Sequence, residues 1–136
     1  KKKKILIVSA DFYKDISSSM FEAVEGYEFD DKHDYFFEAV NVPGVFEIPV
    51  TIAKHMDSFD GFVALGCVIK GKTPHFDFIS SSTTDSIMKL SIQNKKPIGN
   101  GIITCLNKNQ AKERILKGID ALNAVTSVLS QRDYNY

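Results

Sequence analysis

Four short apolar runs, at residues 4–10, 35–40, 61–69 and 98–105, are rich in β-branched and aromatic side chains, and each is followed by a polar break and a longer mixed segment. The longer segments, near 16–27, 46–56, 76–93 and 109–129, place apolar residues at helical spacing, as Ile115, Ile119, Leu122, Val125 and Leu129 do. Gly118 inside the last of them admits a division into two helices. SSSTTDS, residues 80–86, lies inside the third helical segment although its helix propensity is poor.

Strands that alternate with helix-length connections pair in parallel, and a parallel sheet has to be covered on both faces. The expected fold is therefore α/β: a three-layer α/β/α sandwich with a four-stranded parallel sheet, flavodoxin-like. A chain of 136 residues with 43% hydrophobic residues has the size of one domain, so residues 1–136 are read as a single unit.

Lys plus Arg and Asp plus Glu each number 17. With no net charge there is no bulk field to draw the protein onto nucleic acid, and an anion has to be held by a local site. The start KKKKILIVSA imitates a secretory signal, but its apolar run is short and Asp11 interrupts it. No apolar run approaches the roughly 20 residues that span a bilayer, so no membrane association is expected. Cys67 and Cys105 both sit in apolar runs without a close metal-ligand spacing. They are read as reduced core residues of a cytoplasmic protein, and no metal site is expected.

Parallel α/β sheets bind ligands outside the carboxyl ends of their strands, which directs attention to the loops after Ala10, Val40 and Ile69. In GKTPHFDF, residues 71–78, Thr73 suits an N-cap and Pro74 the first helical position, which puts His75 in the first turn. Free backbone N–H groups there, with Gly71 and the flanking Lys70 and Lys72, suit a phosphate. A capped helix with solvated lysines accounts for the same residues. An imidazole at position 75 titrates near neutral pH and could move protons beside such a seat. VNVPGVFEIP, residues 40–49, ends a strand, turns at Pro43 and Gly44 and opens a helix with Glu47 in its first turn. Glu47 either complements the helix end or, with the backbone of Val45 and Phe46, meets a polyol or heterocycle. In SADFYKD, Phe12 and Tyr13 stand where a planar ligand could stack, or one of them packs into the core. His33 and His55 read as surface residues.

Taken together, VPGVFEIP, ALGCVIKGKTPHFDF, PIGNGIIT and QAKER, in this order on the βα rhythm, resemble the 6,7-dimethyl-8-ribityllumazine synthase family over nearly the whole chain. The resemblance implies condensation of 5-amino-6-(D-ribitylamino)uracil with 3,4-dihydroxy-2-butanone 4-phosphate, releasing phosphate and water, without a metal or organic cofactor. By that likeness His75 transfers protons, and Lys72, Thr73 and Arg114 hold the phosphate. Phe12 stacks on the pyrimidine, while Val45, Phe46, Glu47, Cys67, Val68, Ile69 and Asn100 line the ribitylaminouracil pocket. The likeness also implies a homo-oligomer with sites between subunits, a pentamer or twelve pentamers closed into a shell, in which Asn100 and Arg114 come from a neighbour.

The chain departs from the family pattern in three places: Asn100 stands where many members have Phe, Asp11 precedes Phe12 where Arg is frequent, and only Ile115 and Leu116 separate Arg114 from Lys117. Two other readings compete: the related archaeal-type riboflavin synthase, which the VPGVFEIP and GKTPHFDF pair fits less well, and a catalytically silent flavin- or lumazine-binding scaffold.

Overall fold

The computed structural model of the protein describes residues 2–71, 75–132 and 134, with His75 as a helical position only. Its elements alternate as expected: β1 (Lys3–Ala10), α1 (Lys14–Gly26), β2 (Tyr35–Val42), α2 (Ile48–Lys54), β3 (Gly61–Ile69), α3 (His75–Asn94), β4 (Ile98–Cys105), α4 (Lys108–Glu113) and α5 (Lys117–Leu129). Short 3-10 turns at Lys32–Asp34 and Val45–Glu47 lead into β2 and α2.

The four strands form one parallel sheet in the order β2-β1-β3-β4. β1 pairs with β2 from Lys3 against Tyr35 to Ala10 against Val42, and with β3 from Ile5 against Gly61. The two central strands are buried almost from end to end, which is why their sequences run apolar without alternation.

Side chains of opposite parity feed two cores. On one face Ile5, Ile7, Val63, Leu65 and Ile103 meet Met20 and Val24 of α1 and Leu122 and Val125 of α5. On the other, Leu6, Val8, Phe62 and Ala64 meet Ile48 and Ile52 of α2 and Ile87 of α3. Each fully buried Ile, Leu, Val or Met contributes about 1.5–3 kcal/mol of apolar burial, so the double-sided sheet is the main source of stability.

Close approach of α5 to the sheet depends on Gly99: a Cβ there would stand 2.7 Å from the Ala121 carbonyl carbon and 2.9 Å from Val125 Cγ2. Gly118 does not divide the last helical segment. The break falls at residues 114–116, and Gly118 lies inside α5, where a Cβ would meet Val24 Cγ2 at 3.0 Å and Leu65 Cδ2 at 3.1 Å. Its lack of a side chain serves packing rather than termination.

SSSTTDS is helical within α3 despite its composition, because Thr83 and Ile87 are buried and tertiary packing outweighs propensity. α3 ends with Lys95 at φ 54°, the left-handed conformation of a helix C-terminal cap, and the Lys96 N–H donates to the Ser91 carbonyl at 3.2 Å. β2 runs to Val42, two residues past the expected end, since the pairing with β1 continues to Ala10.

Candidate active site

The loops after β1, β2 and β3 meet over the carboxyl ends of these strands, and a cavity of about 260 Å³ opens there. Phe12 and Tyr13 form one wall. Gly44, Val45 and Phe46 form a second, while Cys67, Val68 and Ile69 make the floor as β3 ends. Phe76 and Ile79, one helical turn apart on α3, close the side beyond Gly71. Among the described residues the lining is mostly apolar, which suits a flat heterocycle.

Two rings stand at the cavity with little cover of their own: Phe12 is 75% exposed and Phe46 is 62% exposed. Phe12 meets Tyr13 edge-on, with centroids 5.0 Å apart and planes at 80°. Val45 is buried, and its place is set from below by Gly66, where an added Cβ would lie 2.8 Å from Val45 Cγ1.

Glu47 turns back on the preceding turn. Its Oε1 accepts the Gly44 N–H at 2.9 Å, while the Gly44 carbonyl accepts the Glu47 N–H at 3.1 Å. The carboxylate thereby satisfies a backbone donor at the start of a helical turn, as a capping residue does. One carboxylate oxygen, Oε1, is committed to holding the loop that carries Val45 and Phe46.

The floor is held by cysteine chemistry of the inert kind. Cys67 and Cys105 are both free and buried on adjacent strands. Burial first, and then the neighbouring Cys105, push the Cys67 thiol up to about 12, so it is a neutral packing group. Beside it, Lys108 of α4 meets Asp15 of α1 at 2.9 Å and holds the Asp15 carboxyl below its ordinary value. That pair ties the two helices together at the same end of the sheet.

Of the residues expected to bind the pyrimidine, Phe12, Val45, Phe46, Cys67, Val68 and Ile69 come together in this cavity, and Glu47 secures one of its walls. Lys72 and Thr73, expected at the phosphate, lie outside the described residues, as does the His75 side chain. Sequence reasoning missed Phe76 and Ile79. Their i, i+3 spacing at the start of α3 was the available signal.

Asn100 and Arg114 do not line the cavity. Asn100 borders a groove between α3 and α5 with Met88 and Val128, and its Oδ1 accepts the Ile102 N–H at 3.0 Å. Arg114 follows α4, is exposed, and donates from Nη1 to the Thr104 carbonyl at 2.7 Å. Lys117 Nζ approaches the Ile102 carbonyl at 3.5 Å. Side chains of the same chain thus occupy main-chain groups along β4, an edge strand, and blunt it against indiscriminate strand pairing.

Among the described residues, no group of three or more His, Cys, Asp or Glu side chains is arranged to hold a metal ion, and no helix is long and apolar enough to cross a membrane. His33 is exposed beside Asp34, and His55 Nδ1 lies 2.8 Å from the Thr51 carbonyl; neither reaches the cavity.

Comparison with known proteins gives the same family as the motifs. The family model described as 6,7-dimethyl-8-ribityllumazine synthase matches residues 2–132. A 6,7-dimethyl-8-ribityllumazine synthase of Bartonella tribocorum is 41% identical over 118 residues, covering 84% of this chain and 76% of the relative. One from Agrobacterium fabrum is 39% identical over 122 residues, covering 84% and 80%. One from Cutibacterium acnes is 35% identical over 135 residues, covering 93% and 80%.

Proposed function

The chain belongs to the 6,7-dimethyl-8-ribityllumazine synthase family, and we propose that it condenses 5-amino-6-(D-ribitylamino)uracil with 3,4-dihydroxy-2-butanone 4-phosphate in riboflavin biosynthesis. The observation that carries this reading is the convergence of Phe12, Val45, Phe46, Cys67, Val68 and Ile69 on one apolar cavity at the carboxyl ends of β1, β2 and β3. Residues 1–136 act as one lumazine synthase domain.

In this reading the pyrimidine lies against the Phe12 ring and over the end of β3, where main-chain groups of Cys67 to Ile69 recognise its edges. The ribityl chain runs toward Phe46 and the Glu47 carboxylate, whose second oxygen accepts from its hydroxyls. Lys72 and Thr73 hold the phosphate of the four-carbon substrate at the start of α3, and Arg114 of a neighbouring copy adds a guanidinium fork.

The substrate amine is itself the nucleophile. It attacks the ketone carbon to give an imine with loss of water; a proton then leaves carbon as phosphate departs, and the ribityl-bearing nitrogen closes the second ring with loss of a further water. His75 shuttles the protons. Holding the two substrates in register supplies the larger share, up to about 7–11 kcal/mol for well-oriented partners. Proton transfer by one imidazole contributes on the order of 10²–10⁴-fold.

The working unit is a homo-oligomer, a pentamer or a shell of twelve pentamers, acting in the cytoplasm. Support comes from the absence of Arg114 and Asn100 from the lining of their own chain's cavity, and from Met88, Ile92, Leu116 and Val128, apolar side chains that are exposed in the single chain. The test is incubation of the purified protein with both substrates while product fluorescence is followed. Product formation above the uncatalysed rate is expected, and its absence under conditions that preserve the oligomer would refute the assignment.

A further inference from the structure

Phe12 is held by very little of its own. Its ring is 75% exposed, and its aromatic neighbour is Tyr13, the next residue in the chain. Its orientation over the cavity must therefore come from the backbone on either side. On the carboxyl side, the Tyr13 carbonyl accepts the N–H groups of Ile16 and Ser17, both at 3.0 Å, as α1 begins. On the amino side the anchor is Asp11. Its N–H donates to the Val42 carbonyl at 2.8 Å, extending the pairing of β1 with β2 by one residue.

The Asp11 carboxylate then spans two elements. Oδ1 accepts from the hydroxyl of Ser17, a buried residue of α1, at 3.3 Å, and Oδ2 accepts from Asn41 Nδ2 on β2 at 2.9 Å. Ser17 closes the ring: its N–H is on Tyr13, and its single hydroxyl proton lies between Asp11 Oδ1 at 3.3 Å and the Lys14 carbonyl at 3.2 Å, both within the same loop. Residues 11–17 are thus tied into one loop with Phe12 at its tip. Hydrogen bonds to a carboxylate are stronger and shorter than neutral ones, and are suited to fixing a loop.

We propose that Asp11 is a positioning residue for the pyrimidine substrate: through Ser17 and Asn41 it fixes the β1–α1 loop so that the Phe12 ring is preset over the cavity. The inference rests on the reading of this cavity as the pyrimidine site. Asp11 itself does not line the cavity and touches no substrate. Its effect falls on capture of one substrate, not on proton transfer.

The test is steady-state kinetics in each substrate separately. Asp11→Ala is expected to raise KM for 5-amino-6-(D-ribitylamino)uracil on the order of tenfold, the scale set by losing a charge-assisted contact. KM for the butanone phosphate and kcat should stay within about twofold, because the proposed reading gives the phosphate and the protons to other residues. The exchange variant, Asp11→Asn with Asn41→Asp, reverses donor and acceptor across the same gap and should restore KM.

Asn41→Ala removes one partner at an exposed strand end and should raise the same KM by less, which keeps the proposal open to refutation if Asp11→Ala does not fold. Unchanged KM in Asp11→Ala and Asn41→Ala, an equal rise for both substrates, or no recovery on exchange would overturn it. Failure of the parent protein to form lumazine would instead refute the functional reading on which it rests.

Discussion

The Glu47 carboxylate closes on the Gly44 N–H three residues before it, at 2.9 Å, so the acidic residue of VPGVFEIP braces its own turn. A hydrogen bond of this kind at a helical N-terminus is worth about 1 kcal/mol. Glu47→Ala should therefore lower the unfolding free energy obtained from chemical denaturation by that amount and weaken pyrimidine binding, since the turn carries Val45 and Phe46. Glu47→Gln keeps an acceptor within reach of the amide and should retain most of the stability. Equal loss in both variants would contradict the bracing role.

Gly66 and Gly99 face different obstacles and should respond differently to Ala. At Gly66 the new methyl meets Val45 Cγ1, a side chain in the cavity wall, so the cavity should reshape while the fold persists. At Gly99 it meets Ala121 backbone, which cannot step aside without moving α5. Overpacking of the latter kind costs about 1–3 kcal/mol. Thermal melting should show the larger loss for Gly99→Ala, and kinetics the larger rise in pyrimidine KM for Gly66→Ala.

The Cys67 thiol carries a sign that can be checked. Burial and Cys105 raise its folded-state value from 9.0 to about 12. A raised value means that the stabilisation is fully present below the unfolded value and is lost as pH climbs from 9.0 toward about 12. Denaturation midpoints followed across that alkaline window should fall for the parent, and Cys67→Ala should lack this component of the fall. At neutral pH, iodoacetamide should label Cys67 only slowly in the folded protein, because the thiolate is the reactive form.

The strands were legible because buried parallel strands are continuous apolar runs, and β3 and β4 begin and end where those runs do. The three loops that meet at the cavity followed from strand polarity alone. Other features were not legible. The break at residues 114–116 falls in ERILK, which contains neither Gly nor Pro, and so periodicity ran through it. The link from Asp11 to Asn41 joins residues 30 apart and exists only because β1 and β2 are neighbours in the sheet. Glu47 offered two local roles, and only the atomic distance to Gly44 identifies the turn as one of its partners.

The placement of Arg114 carries a prediction about assembly. It sits on the Thr104 carbonyl at an edge strand and outside the cavity of its own chain. A head-to-tail ring would bring this edge to the next copy's cavity, a heterologous contact that closes by rotation. His75→Ala and Arg114→Ala proteins, each impaired alone, should recover activity when dissociated together and reassembled, because some sites then carry neither lesion. No recovery from well-formed mixed rings, or full activity of a demonstrated monomer, would contradict a shared site.

The most direct measurement is the initial rate of 6,7-dimethyl-8-ribityllumazine formation as ribitylaminouracil is varied at saturating butanone phosphate, for the parent and for Phe12→Ala, with the uncatalysed rate subtracted. The account predicts a saturable rate for the parent and a KM raised on the order of tenfold in Phe12→Ala, the scale of one lost base-stacking contact. A parent rate equal to the uncatalysed one, or a Phe12→Ala curve superimposable on that of the parent, would contradict it.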